Sequence, residues 1–269
     1  MSLLRAWSTL VWISFRRLLW SPSSLMVMFP LAMAALALAV MRHRYLRQPG
    51  AYEDFGLAFD RFTQEFVILI FVLFVVPVCA LAYGTTSIGG DREDRTLLFI
   101  LVRPVPRSLV LLAKVAATLP LVLGLVVTSF FGYCSLVGEV GDAAFDAYLP
   151  TVFAMTVAYV SLFHLFAVSF RHSTIIALVY ALFMEFFLSN MPGIVKRVAV
   201  NFYGRSLIYE YGNAALRSLG AVHRLDMPDP QWFDPVTAAT GMTTLIGVSL
   251  GSLALALLIF QRREYRDLT

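Results

Sequence analysis

Six apolar runs, at about Leu25 to Met41, Phe66 to Tyr83, Leu109 to Phe131, Thr151 to Phe170, Thr174 to Leu188 and Val236 to Phe260, decide what this chain can fold into. Bilayer hydrocarbon is about 30 Å thick and takes roughly 20 mostly apolar helical residues to cross. Backbone polar groups at that depth must be satisfied within the segment, which favours helices. The expected fold is all-α: one polytopic membrane domain over residues 1–269 with six transmembrane helices. Composition agrees, since 59% of the residues are apolar and 14% charged, roughly half the charged share of a soluble domain. Pro30, Pro77 and Pro120 each fall inside a run, where neighbouring helices can satisfy the carbonyls they orphan.

Ahead of the first run, Leu4, Trp7, Val11, Phe15 and Leu18 share one helical face, with Arg5, Ser8, Thr9 and Arg16 turned away. That is the pattern of a helix lying in the membrane interface, here residues 1–24. Ser21-Pro22-Ser23-Ser24 breaks it and starts the first span. Ala37-Leu38-Ala39 mimics a signal-peptide cleavage site, but the segment before it is too long and too basic in its middle. Six spans place both termini on one side. With those termini in the cytoplasm of an inner-membrane protein, 12 Lys and Arg fall inside and 9 outside, a weak bias that the short Arg-dense loops and Gln261-Arg262-Arg263 reinforce. The net charge of +4 sits in clusters flanking apolar runs, so it answers to topology and not to nucleic acid. Cys79 and Cys134 fall toward opposite faces, too far apart to bridge.

The loop at 84–108 is the most informative. Gly89-Gly90 free the chain, Asp91-Arg92-Glu93-Asp94-Arg95 gathers both charge signs, Thr96 to Val102 is apolar but too short to span, and Arg103-Pro104-Val105-Pro106-Arg107 stiffens the entry to the next helix. Such a segment suits a helix along the membrane face, open to a partner on one side.

This stretch resembles that of the type 2 ABC exporter permeases, whose loop between the second and third spans carries acids, then Gly-Thr-Leu, an apolar run, a proline, an arginine and a lysine. Asp91 and Glu93 stand at the acids, Thr96-Leu97 follows, and Pro104, Arg107 and Lys114 complete the order; Arg95 departs from the usual glycine. Six spans, an interfacial helix and a basic C-terminus extend the likeness, and the six-span permeases of copper-enzyme maturation transporters look most similar. The resemblance implies a dimer of permeases, each docking a cytoplasmic coupling helix, with Asp91, Glu93, Asp94, Arg95, Thr96, Leu97, Arg103, Pro104, Arg107 and Lys114 as its residues, into a separate ATPase subunit. ATP and Mg would sit on that partner. This chain has no G-x-x-x-x-G-K-[ST] and is expected to be neither an enzyme nor a cofactor binder.

His164 and Glu185 are ionisable residues inside predicted spans and are candidates for a substrate pathway. Helix rise puts them at different depths on adjacent spans, His164 nearer the 171–173 turn and Glu185 near enough to the outer end to reach water or headgroups. The loop at 189–235 places Ile194, Val195, Val198 and Phe202 at helical spacing, followed by Tyr203, Tyr209 and Tyr211: an outer interfacial or re-entrant helix, or a surface loop with aromatic anchors.

A membrane enzyme is disfavoured, because His43, His164, His172 and His223 are scattered with no metal-ligand spacing. A secondary transporter or channel with no ATPase partner remains the alternative, although no internal repeat appears. The polar residues of the spans are sparse (Thr128, Ser129, Ser161, Ser169), which favours a hydrophobic or amphipathic cargo.

Overall fold

Helix α1 (Leu3–Leu19) stops where two serine hydroxyls take over its last carbonyls. Ser21 Oγ donates to Leu18 O at 2.9 Å, and Ser24 Oγ donates to Leu18 O at 3.1 Å and Leu19 O at 2.8 Å. The chain turns there into α2 (Pro22–Met41), with proline in the first turn, where its missing N–H removes no helical bond. The computed structural model describes residues 3–43, 54–93, 106–229 and 232–262. Among them, regular structure is entirely helical.

Five more long apolar helices follow: α3 (Phe55–Glu93, its candidate span Phe55–Arg92), α4 (Arg107–Ser135), α5 (Glu139–Ser169), α6 (Ser173–Asn190) and, after a shorter α7 (Val200–Ser218), α8 (Ala238–Arg262). With α2 they make six helices long and apolar enough to cross a membrane. Over their apolar windows α3 and α5 are 72% and 67% buried, whereas α2, α6 and α8 are 28%, 22% and 28% buried. The first two therefore form the centre, and the other three turn apolar side chains such as Phe29, Phe183 and Leu250 outward, as lipid contact requires.

Consecutive spans alternate in direction, so the bundle has two ends. The base carries α1, the end of α3, the start of α4 and the joint between α5 and α6. The cap, at the opposite end, carries the start of α3, α7 and the start of α8. The core is continuous along the bundle and rich in aromatics, among them Phe66, Phe71 and Phe130, with Phe71 and Phe130 at 4.8 Å between ring centroids. A smaller apolar cluster at the base joins Ile88, Val110, Leu111, Ala167, Ala256 and Phe260 from four helices.

Several limits read from the sequence shift. Helix α3 begins at Phe55, not Phe66, because Asp54 caps it by accepting from the backbone of Gly56 at 2.9 Å and Leu57 at 3.3 Å. At its other end the helix runs on to Glu93, through glycines expected to free the chain. Gly89 serves close approach instead: a Cβ there would lie 2.6 Å from Ser173 Oγ on α6. Residues 62–75 of α3 are wound in wider π-type turns that end shortly before Pro77. Helix α5 starts at Glu139 and passes through Pro150, where the sequence reading placed a connection up to Thr151. The interfacial helix is amphipathic as expected, with Phe15 and Leu18 packed inward, yet Trp12 and Trp20 are exposed, at a position suited to headgroups. Cys79 and Cys134 are both free and buried.

Candidate functional site

Asp91 lies in the last turn of α3 with its side chain 2% exposed. A carboxylate withdrawn from water costs several kcal/mol unless paired, and two cations supply the pairing. Lys114, two turns into α4 and itself buried, places Nζ 2.6 Å from Asp91 Oδ2. Arg17, near the end of α1 and 43% exposed, donates to Oδ1. One carboxylate thus joins three helices. A cleft of about 220 Å³ opens beside it, lined by Ser14, Arg17, Trp20, Gly90, Asp91 and Lys114 among others.

Neighbouring contacts extend this junction across the base. Arg92 Nη1 donates to Phe170 O at the end of α5 at 2.9 Å, a placement that also suits the negative end of that helix. Ser23 Oγ and Thr86 Oγ1 are 2.9 Å apart, and Tyr83 Oη donates to Ser24 Oγ at 3.2 Å, bolting α2 to α3. Thr174 Oγ1 donates to Thr85 Oγ1 at 3.2 Å, bolting α6. His164 belongs to the same region. Its Nδ1 is 2.7 Å from Val160 O and its Nε2 3.0 Å from Ser87 Oγ. A carbonyl only accepts, so Nδ1 donates to Val160 O, while Nε2 meets the Ser87 hydroxyl, which also lies 3.0 Å from Gly84 O. Ser87 and Asp91 are one turn apart on α3.

Of the residues that the sequence assigns to coupling, Asp91 and Lys114 face each other in this junction, Arg107 opens α4 with an exposed side chain, and Glu93 ends the last turn of α3. Asp94, Arg95, Thr96, Leu97, Arg103 and Pro104 lie outside the described residues. Arg17 was missed by sequence reasoning. Its only signal was the Arg16-Arg17 pair, in which Arg16 faces solvent and Arg17 falls one position round toward α3.

Glu185 does not pair with His164; its partner on α5 is Tyr159, five residues nearer the cap. Glu185 was expected to reach water or headgroups; instead it is 1% exposed. Tyr180 Oη donates to Oε1 at 2.6 Å and Tyr159 Oη to Oε2 at 2.8 Å. The backbone N–H groups of Val200 and Asn201, the first two residues of α7, donate to the same carboxylate at 3.1 and 2.8 Å. A helix N-terminus presents unpaired N–H donors, and here the acceptor is supplied by the preceding span. All four acceptor directions of the carboxylate are filled by protein donors.

Helix α7 is accordingly core and not a surface element. Val200, Phe202, Leu207, Ile208 and Leu216 are buried, and Gly204 and Gly212 admit Met155 and Tyr148 of α5, whose atoms would lie 2.1 and 2.4 Å from an added Cβ. Ile194, Val195 and Val198, grouped with Phe202 by helical spacing, are exposed in a separate 3₁₀ turn before it. Tyr209 Oη donates to Gln64 Oε1 at 3.0 Å, tying α7 to α3, while Glu210 accepts from Ala238 N and caps α8. Arg205 stacks over Phe233 at 4.8 Å from the ring centroid.

Six apolar spans, an amphipathic helix at the base and a charged junction where the second and third spans meet agree with what comparison returns. A sequence model of the family described as "ABC-2 family transporter protein" matches residues 16–265. A search of curated proteins found no match. The match takes in α2 to α8 and the end of α1, so the chain belongs to the ABC-2 family of transporter membrane proteins.

Proposed function

We propose that the chain is the permease of an ATP-driven exporter, paired with a second permease copy or homologue and moved by a separate ATPase subunit that grips residues 91–107. The observation that carries this reading is the Asp91 junction: a push on the segment leaving α3 is delivered at once to α1 and α4 through Arg17 and Lys114. A subunit with no phosphate-binding loop must receive its work mechanically, through an element anchored to the spans. In this reading the base faces the cytoplasm, both termini lie there, and ATP and Mg are bound by the partner. Asp91 and Lys114 position the segment, and Glu93 and Arg107 at its two ends meet the ATPase.

The two ionisable groups considered for a pathway argue for an ATP-driven carrier over a proton-coupled one. Glu185 caps a helix and His164 bridges α3 to α5, so neither presents a free group to cargo. A hydrophobic or amphipathic cargo suits spans with so few polar side chains, and the copper-enzyme maturation subtype rests on span count alone. The test is co-purification with an ABC ATPase subunit, sought first in the adjacent reading frames. Reversing both Glu93→Lys and Arg107→Glu is expected to release the ATPase while leaving membrane insertion intact; retention of the ATPase by the double variant overturns the assignment. Labelling that finds Arg107 on the non-cytoplasmic side overturns the orientation.

A further inference from the structure

At the cap, far from the coupling base, we propose that Asp60, His223 and Asp226 bind one divalent transition-metal ion of the zinc type. The three residues each offer one ligand atom, and these atoms all lie within 4.8 Å of one another. Asp60 is on α3, whereas His223 and Asp226 are on the loop after α7.

The geometry is that of a prepared site. Asp60 is buried, and its Oδ1 is occupied, accepting from Asp226 N at 3.1 Å and Gln64 Nε2 at 3.3 Å. Its Oδ2 faces His223 Nε2 at 3.6 Å. That gap exceeds the usual limit of about 3.2 Å for a nitrogen–oxygen hydrogen bond. It fits two atoms held by a common ion, because ligands at roughly 2.0–2.2 Å in a tetrahedron stand about 3.3–3.6 Å apart. His223 Nε2 is closed to solvent and has no hydrogen-bond partner among the described residues, a state rare for a buried polar atom.

The imidazole is also held in place. Gly56 lies so close beneath it that an added Cβ would be 2.5 Å from His223 Cβ. Leu225 N donates to Asn213 Oδ1 at 3.0 Å and Gln64 Nε2 donates to Asp226 O, so the loop is fixed on both sides of the ligands. One imidazole and two carboxylates suit zinc and its neighbours better than calcium or magnesium, which take six or more oxygen ligands. Asp226 is exposed, leaving a fourth position for water. Bound there, the ion fastens the loop after α7 to the cap end of α3.

The test uses the full-length chain in nanodiscs, purified through a tag without histidine and stripped with EDTA, with ZnCl₂ alone as probe. Calorimetry and metal analysis are expected to give one zinc per chain, with a rise in Tm that CaCl₂ and MgCl₂ at the same concentration do not produce. His223→Gln, with the same metal-free Tm as wild type, is expected to weaken binding about 100-fold, and Asp226→Asn at least tenfold. Absence of saturable 1:1 binding, or unchanged affinity in His223→Gln, overturns the site and leaves a histidine–aspartate ion pair. Neither result bears on the ATPase assignment.

Discussion

The base and the cap of this bundle solve the same problem, a charge out of water, in opposite ways. At the cap, Glu185 is enclosed and takes four donors from three segments, two of them from the start of the helix it caps. At the base, Asp91 is as deeply buried, but one of its partners is a half-exposed arginine beside a cleft. A saturated carboxylate has one good arrangement. A carboxylate shared between a buried lysine and a solvated arginine can exchange partners at small cost, which is what a junction that transmits motion needs. The cap uses a filled network, and the base, which the proposed function has driven by the ATPase, uses an ion pair open on one side.

The largest effect should come from breaking the cap. Glu185→Ala strands two tyrosine hydroxyls and two backbone N–H groups, each worth about 1–3 kcal/mol when left unsatisfied. A total loss of about 3–5 kcal/mol is expected in detergent unfolding, with Glu185→Gln milder because the amide oxygen still accepts. Next is Asp91→Asn, which leaves Lys114 buried without its counter-charge; a loss of about 2–3 kcal/mol is expected. Its signature is functional, since transport-linked ATPase stimulation should fall much further than the unfolding midpoint. If Glu185→Ala and Asp91→Asn lowered stability and coupling in the same ratio, the contrast between the ends would be void. His164→Gln should cost about 1 kcal/mol by loosening Ser87 from α5. Smallest is Arg17→Ala, below about 1 kcal/mol because half of the arginine remains in water, read as a change in Tm that shrinks in high salt.

The spans were legible because bilayer thickness imposes a length that composition alone reveals. Their ends were not, because a helix may continue past the hydrocarbon wherever packing supports it. Glu139, Asp142 and Asp146 read as loop charges, yet they sit on the first turns of α5, and Pro150 follows them without ending the helix. Gly89 read as a break because glycine frees a lone chain, but against Ser173 its missing side chain is what closes the helix contact. The candidate sites depend on pairings that no local spacing records. Glu185 meets the start of α7 about four turns of chain later, Arg17 meets Asp91 across two helices, and His223 meets Asp60 across nearly the whole bundle. A search by spacing finds histidines scattered; only the folded chain brings one of them to a pair of aspartates.

Helix α3 carries Asp60 near one end and Asp91 near the other, on a single uninterrupted candidate span of 38 residues. At about 1.5 Å per residue it reaches roughly 57 Å, well beyond the hydrocarbon on both sides. It behaves as a crankshaft through the bilayer. Under the proposed function, a rotation imposed by the ATPase at one end would emerge at the far surface, softened by the π-wound stretch between, so a clamp on the distal bearing would act as a brake on the engine.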